Sequence, residues 1–141
     1  MRFLLDTCVL SELRRPRPDT GLLSWVSQTD EERLYLSVVA LMEIQKGIAK
    51  LPAEPKRAAL QAWLDHDLTA RFAGRLLPVD EETALTWGAM LGEADRAGAP
   101  VPVVDALLAA TAAAHNLTLV TRNAGDFERL PVRVLNPWGP G

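Results

Sequence analysis

The sequence predicts an α/β fold with a mostly parallel sheet enclosed by helices, and three observations carry this reading. Short apolar runs alternate with amphipathic segments of helix length from one end of the chain to the other, and parallel strands need a crossover of that length between them. Residues that suit helix caps, Thr7, Ser37 and Asp80, stand at the ends of those apolar runs. The 141 residues are 48% hydrophobic and 23% charged, and a chain of this size buries roughly two thirds of its unfolded surface. One hydrophobic core is therefore within reach, and disorder is excluded.

The elements follow in order. Arg2 to Leu5 is an apolar run that stops at Asp6, and Thr7 to Arg14 carries helix formers with Thr7 available as a cap. Pro16 and Pro18 end that helix. Thr20 to Ser27 places Leu22, Leu23, Trp25 and Val26 on a second short helix. Leu34 to Val38 suits a strand, and Ser37 caps a helix through Leu51 in which Leu41, Ile44, Ile48 and Leu51 recur at helical spacing. Beyond Pro52, Glu54 to Arg71 reads as one long amphipathic helix with Leu60, Trp63 and Leu64 on its apolar stripe, and Leu76 to Val79 as a brief strand. Asp80 caps Glu81 to Arg96, whose leading acids and trailing Arg96 match the helix dipole, and Gly98 stops it. Pro102 opens Val103 to His115, Asn116 closes it, and strands are expected at Leu117 to Thr121 and Val132 to Leu135.

Composition excludes several functions. A single cysteine, Cys8, rules out an internal disulfide, and with only His66 and His115 beside it the chain lacks the soft ligands of a structural zinc site. Any metal must be held by oxygen. The formal net charge of −3 argues against a broad positive field drawing in nucleic acid, so a local basic rim or a second subunit has to supply that attraction. No apolar stretch is long enough to span a bilayer, and the start of the chain lacks the pattern of a secretory signal. The expectation is a cytoplasmic protein with no membrane partner. With no repeat or linker, residues 1–141 read as one domain.

In open parallel sheets ligands collect beyond the carboxyl ends of the strands, and four polar positions are expected at that edge. Asp6 ends the first strand, Glu43 lies in the helix after the second, Asp105 opens its own helix, and Asn123 and Asp126 follow the strand that ends at Thr121. Carboxylates gathered there without Lys or Arg among them repel strongly, and a divalent cation removes that cost. Oxygen ligands select Mg2+ or Mn2+, and phosphodiester hydrolysis follows from what such an ion does to water and to a leaving oxygen. Each acid has a plainer reading as a cap, a dipole partner or a turn residue. Their coincidence at one edge favours chemistry.

At these residues the chain resembles a known family. Leu4-Leu5-Asp6-Thr7-Cys8-Val9-Leu10-Ser11-Glu12, Ser37 through Gly47, Val104 through Ala112, and Thr121-Arg122-Asn123-Ala124-Gly125-Asp126-Phe127 are similar in order and spacing to the motifs of PIN-domain toxins of the VapC and FitB type. The closing Val134-Leu135-Asn136-Pro137-Trp138 is similar to the tail of the FitB-like branch. The resemblance implies a three-layer α/β/α PIN-like domain around a mostly parallel sheet of four or five strands. It also implies a homodimer, Mg2+-dependent RNA cleavage with Mn2+ as a substitute, and inhibition by a VapB-like antitoxin that joins the toxin to promoter DNA.

Carried over by residue, Asp6, Glu43 and Asp105 are the catalytic acids and metal ligands, and Thr7, Ser11 and Thr121 support them. Many relatives carry Asp where this chain has Asn123. Either Asp126 therefore completes the catalytic set or Asn123 serves as a neutral oxygen ligand. Lys46, Lys50 and Arg122 are candidates for RNA phosphate contacts, as are Arg14, Arg15 and Arg17, where antitoxin acids are the alternative. Trp25 and Trp63 suit either an antitoxin groove or the core, and Trp87 and Met90 either a dimer face or the core. A degenerate, non-cleaving partner of the antitoxin at DNA is the competing function, motivated by the amide at Asn123.

Overall fold

The computed structural model describes residues 1–139. Five parallel strands form one sheet in the order β3-β2-β1-β4-β5, with β1 at Phe3–Leu5, β2 at Leu34–Ser37, β3 at Leu76–Leu77, β4 at Thr118–Val120 and β5 at Val134–Leu135. The expected parallel sheet of four or five strands is therefore present with five. β1 is central, so the chain winds outward to β2 and β3 on one side and later to β4 and β5 on the other. The reversal falls between β1 and β4, where open α/β sheets form a crevice at their carboxyl edge.

Strand geometry splits the core in two. Successive side chains point to opposite faces of a sheet: Phe3 and Leu5 enter one cluster with Leu36, Leu22 and Phe72, while Leu4 and Leu119 enter the other with Leu108 and Phe127. Leu4, Leu5, Leu36 and Leu119 are fully buried, each contributing about 1.5–3 kcal/mol through removal from water. Helices α1 (Thr7–Leu13), α2 (Thr20–Gln28) and α3 (Val38–Ala49) supply buried residues to the first cluster. Helices α6 (Glu81–Arg96) and α7 (Val103–Ala114) supply Met90 and the run Leu107–Ala110 to the second, giving the three-layer arrangement.

Several boundaries differ from expectation for identifiable reasons. Asp6, not Thr7, caps α1: its side chain accepts from the Thr7 amide, which frees the Thr7 hydroxyl. Asp19 caps α2 through the Leu22 amide, and Ser37 and Asp80 cap α3 and α6 as expected. The long helix after Glu54 is continuous but not uniform. It runs as α4 (Pro55–Ala62), a π-helical stretch Trp63–Leu68 and α5 (Thr69–Arg71). β3 stops at Leu77 because Pro78 has no amide for the ladder. Gly98 at φ +72° and Asn116 at φ +55° end α6 and α7 in the left-handed region. Trp25 meets the Phe3 ring edge-on at 5.0 Å, and Met90 is 6% exposed, so both belong to the core of this chain.

Candidate active site

Asp6 sits where β1 becomes α1, at the sheet's reversal point. Its backbone amide bonds the Val120 carbonyl at 2.9 Å, tying the end of β1 to β4. One carboxylate oxygen accepts from the Thr7 amide at 2.7 Å, and the other accepts from the Thr121 hydroxyl at 2.8 Å and the Cys8 thiol at 3.7 Å. Thr121 is fully buried and also accepts from the Asn123 amide at 3.0 Å. A buried hydroxyl thus holds an acid from the start of the chain against the loop that follows β4. Burial and the nearby Asp6 charge raise the Cys8 thiol above its ordinary range, so Cys8 stays a neutral thiol.

Glu43 reaches the same edge from α3. Its Oε1 accepts from the Thr7 hydroxyl at 2.7 Å, so the two residues flanking the end of β1 each hold or form part of the acidic set. Asp105 projects from the first turn of α7, half-buried. Burial pushes its carboxyl above the usual range, and the charges of Asp126, Asp6 and Glu43 raise it further, in that order. Asp126 lies in the short 3-10 turn Ala124–Phe127 and exerts the largest of those three charge effects. Among the described residues no Lys, Arg or His forms an ion pair with any of these four acids.

Four acids from four separate segments therefore share one electrostatic neighbourhood. Among the described residues no three Asp, Glu, His or Cys side chains form a closed ligand group. The donor set suits a hard cation that keeps several waters and takes only one or two carboxylates with substrate phosphate. Ser11 lines a cavity of about 310 Å3 with Thr7, Arg14 and Glu43. Lys46, Lys50 and Arg122 are exposed, and Asn123 presents an exposed amide at the start of the 3-10 turn. Asn136 donates to the Arg122 carbonyl at 3.5 Å, linking the chain's final segment to this loop.

Two features escape sequence reading. The Arg14 guanidinium lies 4.4 Å from the centre of the Trp63 ring, a pairing across helices that no spacing rule signals. Glu12 is 8% exposed and accepts from the Asp19 amide at 3.1 Å, so it braces the turn between α1 and α2.

A sheet reversed beside its central strand, with acids gathered at its carboxyl edge, defines an α/β domain with one acidic crevice, and the relatives of the chain give its family. The PIN-domain family model matches residues 3–132, and the chain belongs to that family. It is 37% identical to Toxin FitB of Neisseria gonorrhoeae across 96% of this chain and 97% of the relative. It is also 34% identical to VapC ribonuclease Y4jK of Sinorhizobium fredii across 97% and 98%. Among solved structures, the FitAcB crystal structure from Neisseria gonorrhoeae superposes with a TM-score of 0.89 at 37% identity, covering 96% of this chain and 98% of that one. DNA-bound VapBC from Salmonella typhimurium gives 0.77 at 27% identity, covering 96% and 97%. No helix among the described residues is long and apolar enough to cross a membrane.

Proposed function

We propose that this chain, as a single PIN domain over residues 1–141, is the toxin of a type II toxin–antitoxin pair and a divalent-metal-dependent endoribonuclease. The observation that carries the reading is Asp105, whose carboxyl is burdened by burial and by Asp126, Asp6 and Glu43, with no cationic side chain among the described residues paired to any of the four. Such crowding is costly in a protein that never binds a cation. Asp6, Glu43 and Asp105 would hold Mg2+, with Mn2+ as a substitute, and Asp126 supports the set more directly than the Asn123 amide. When bound, the ion acidifies a water and offsets charge on the phosphoryl and leaving oxygens.

The chain's own residues do the rest. Thr121 and the Thr7 amide fix both oxygens of Asp6, and the Thr7 hydroxyl orients Glu43. The acids therefore meet substrate already aligned, with less reorganisation left to the reaction. Lys46, Lys50 and Arg122 would contact phosphates. The names of the relatives include ribonucleases and a tRNA(fMet)-specific endonuclease, and solved neighbours include FitAB and VapBC bound to DNA and a member of the VapBC family of toxin–antitoxin systems. By that analogy the chain works in the cytoplasm as a homodimer. A VapB-like antitoxin silences it and carries it to DNA.

The test is cleavage of transfer RNA by purified, antitoxin-free protein. Cutting is expected with Mg2+ or Mn2+ and none with EDTA; cutting that survives EDTA overturns the metal reading. Changing Lys46, Lys50 or Arg122 to Ala is expected to lower the slope of log affinity against log salt by about 0.7–0.9 for each phosphate no longer neutralised. An unchanged slope removes that residue from the RNA path.

Asp105 also links pH to stability. Its folded pKa lies above the unfolded value, so the native state holds the proton more tightly. Its share of stability is present at acid pH and is lost as pH rises from the ordinary carboxyl range through the raised value. At neutral pH the metal-free Asp105→Asn protein is therefore expected to melt higher than its parent. Mn2+ at a hundredfold excess over its Kd should stabilise the parent by about 2.7 kcal/mol and the variant by less. Equal Mn2+ shifts in both proteins would show that Asp105 is no ligand.

A further inference from the structure

The cavity that reaches Glu43 continues past it. Thr7, Ser11 and Glu43 line the cavity together with Arg14, Trp63 and the aliphatic side chains of α3 and α4, its volume is about 310 Å3, and the Arg14 guanidinium lies 4.4 Å from the Trp63 ring centre. That volume is at the small end of ligand pockets, which run from roughly 300 to 1,000 Å3. It suits one planar group. Trp63 opens the π-helical stretch, a distortion of a kind found often at functional sites.

Gly47 adds a separate observation. It lies four residues after Glu43 within α3, lines the same cavity, and a Cβ built there would meet nothing within 4 Å. Glycine inside a helix costs roughly 0.5–1 kcal/mol relative to alanine. No close neighbour forces that choice at Gly47. At Gly47 the cavity is lined by backbone with no side chain, next to Glu43.

From this we infer that Arg14 and Trp63 form a stacking platform for the nucleobase next to the scissile phosphate, with Gly47 leaving the room it needs. The inference rests on the endoribonuclease reading and adds a subsite to it. RNA is the occupant because the platform shares a continuous wall with the candidate active site: a nucleotide whose phosphate meets the acids has its base within reach of this wall. Single-stranded bases are held in this way, on aromatic faces and guanidinium planes, and the cation adds attraction for the neighbouring phosphate. An aromatic stack accepts any base, so the platform fixes the unpaired state of that nucleotide more strongly than its identity.

The experiment uses a short single-stranded RNA carrying 2-aminopurine at one position at a time, bound to Asp105→Asn protein in Mg2+ so that it is held without being cut. Quenching is expected at one nucleotide position, lost in Arg14→Ala, Trp63→Ala and Gly47→Leu, and kept in Trp63→Phe, which preserves an aromatic face. The affinity loss for either alanine variant is expected to be about 10-fold or more, and an abasic nucleotide at that position should remove any further effect of the substitution. Position-independent quenching, or quenching and affinity unchanged in the variants, overturns the platform. So does normal RNA binding by variants that have lost only their hold on the antitoxin, since the groove then belongs to a protein. Parent protein assayed for cleavage of transfer RNA in Mg2+ beside the quenching measurement separates the two readings: a quenched position without cleavage leaves the platform and sinks the nuclease, and cleavage without a quenched position does the reverse.

Discussion

Asp6→Asn protein is expected to fold but no longer to cut RNA, its rate down by about 1,000-fold, the equivalent of about 4 kcal/mol of transition-state stabilisation. The fold survives because an amide oxygen can still accept from the Thr7 amide and cap α1, while the new NH2 group faces the Thr121 hydroxyl, which can turn to accept it. What disappears is one negative charge at the junction of β1 and β4. The measurement is single-turnover cleavage in Mg2+ beside a thermal melt. A variant that melts like the parent and cleaves at the parent's rate removes Asp6 from the metal assignment, whereas a variant that fails to fold assigns the residue to capping alone. Asp105→Asn, which touches no cap hydrogen bond, then serves as the independent check.

Gly21→Ala is expected to be the most damaging of the small substitutions, at about 1–3 kcal/mol. A Cβ at Gly21 would lie 2.3 Å from the Gly139 amide nitrogen and 2.8 Å from the Pro137 carbonyl oxygen, both main-chain atoms with no side-chain freedom to yield. The final segment must lift. It would take with it the bond from the Gly139 amide to Asp19, at 3.2 Å, on the same carboxylate oxygen that accepts from the Leu22 amide. These bonds hold the Asp19 carboxyl below its usual range. The sign is informative, because alanine in a helix is ordinarily worth up to about 1 kcal/mol over glycine. Melting temperature and limited proteolysis of the C-terminal segment check it, and a more stable variant would mean that the close approach of Gly21 and Gly139 is not a feature of the protein in solution.

These two positions also mark what the sequence can and cannot convey. Asp6 is legible: an acid that terminates an apolar run and starts a helix can be placed at a sheet's carboxyl edge from local pattern alone. Glu43 and Asp105 are legible for the same reason, each lying early in a helix that follows a strand or a Pro. The approach of Gly21 to the final segment is not, because it joins residues more than a hundred apart and leaves no local period. The Thr7 hydroxyl reads as a cap because Asp6 and Thr7 are both good capping residues, and only the meeting of α1 with α3 gives the hydroxyl to Glu43. The π-helical stretch at Trp63–Leu68 is hidden because its residues have the same apolar spacing that marks an ordinary α-helix. Between Asn123 and Asp126, nearness along the chain does not choose, whereas the folded turn brings the Asp126 charge to bear on Asp105.

The hydrogen bond from Thr121 to Asp6 spans 115 residues, and β1 needs β4 as a neighbour on one side. At synthesis rates of about 5–20 residues per second, a growing chain carries its first acid for seconds before the hydroxyl that steadies it is made. Until then one oxygen of Asp6 lacks the partner that the folded chain gives it, and the alignment of that acid is completed only once β4 and the residue after it have been made.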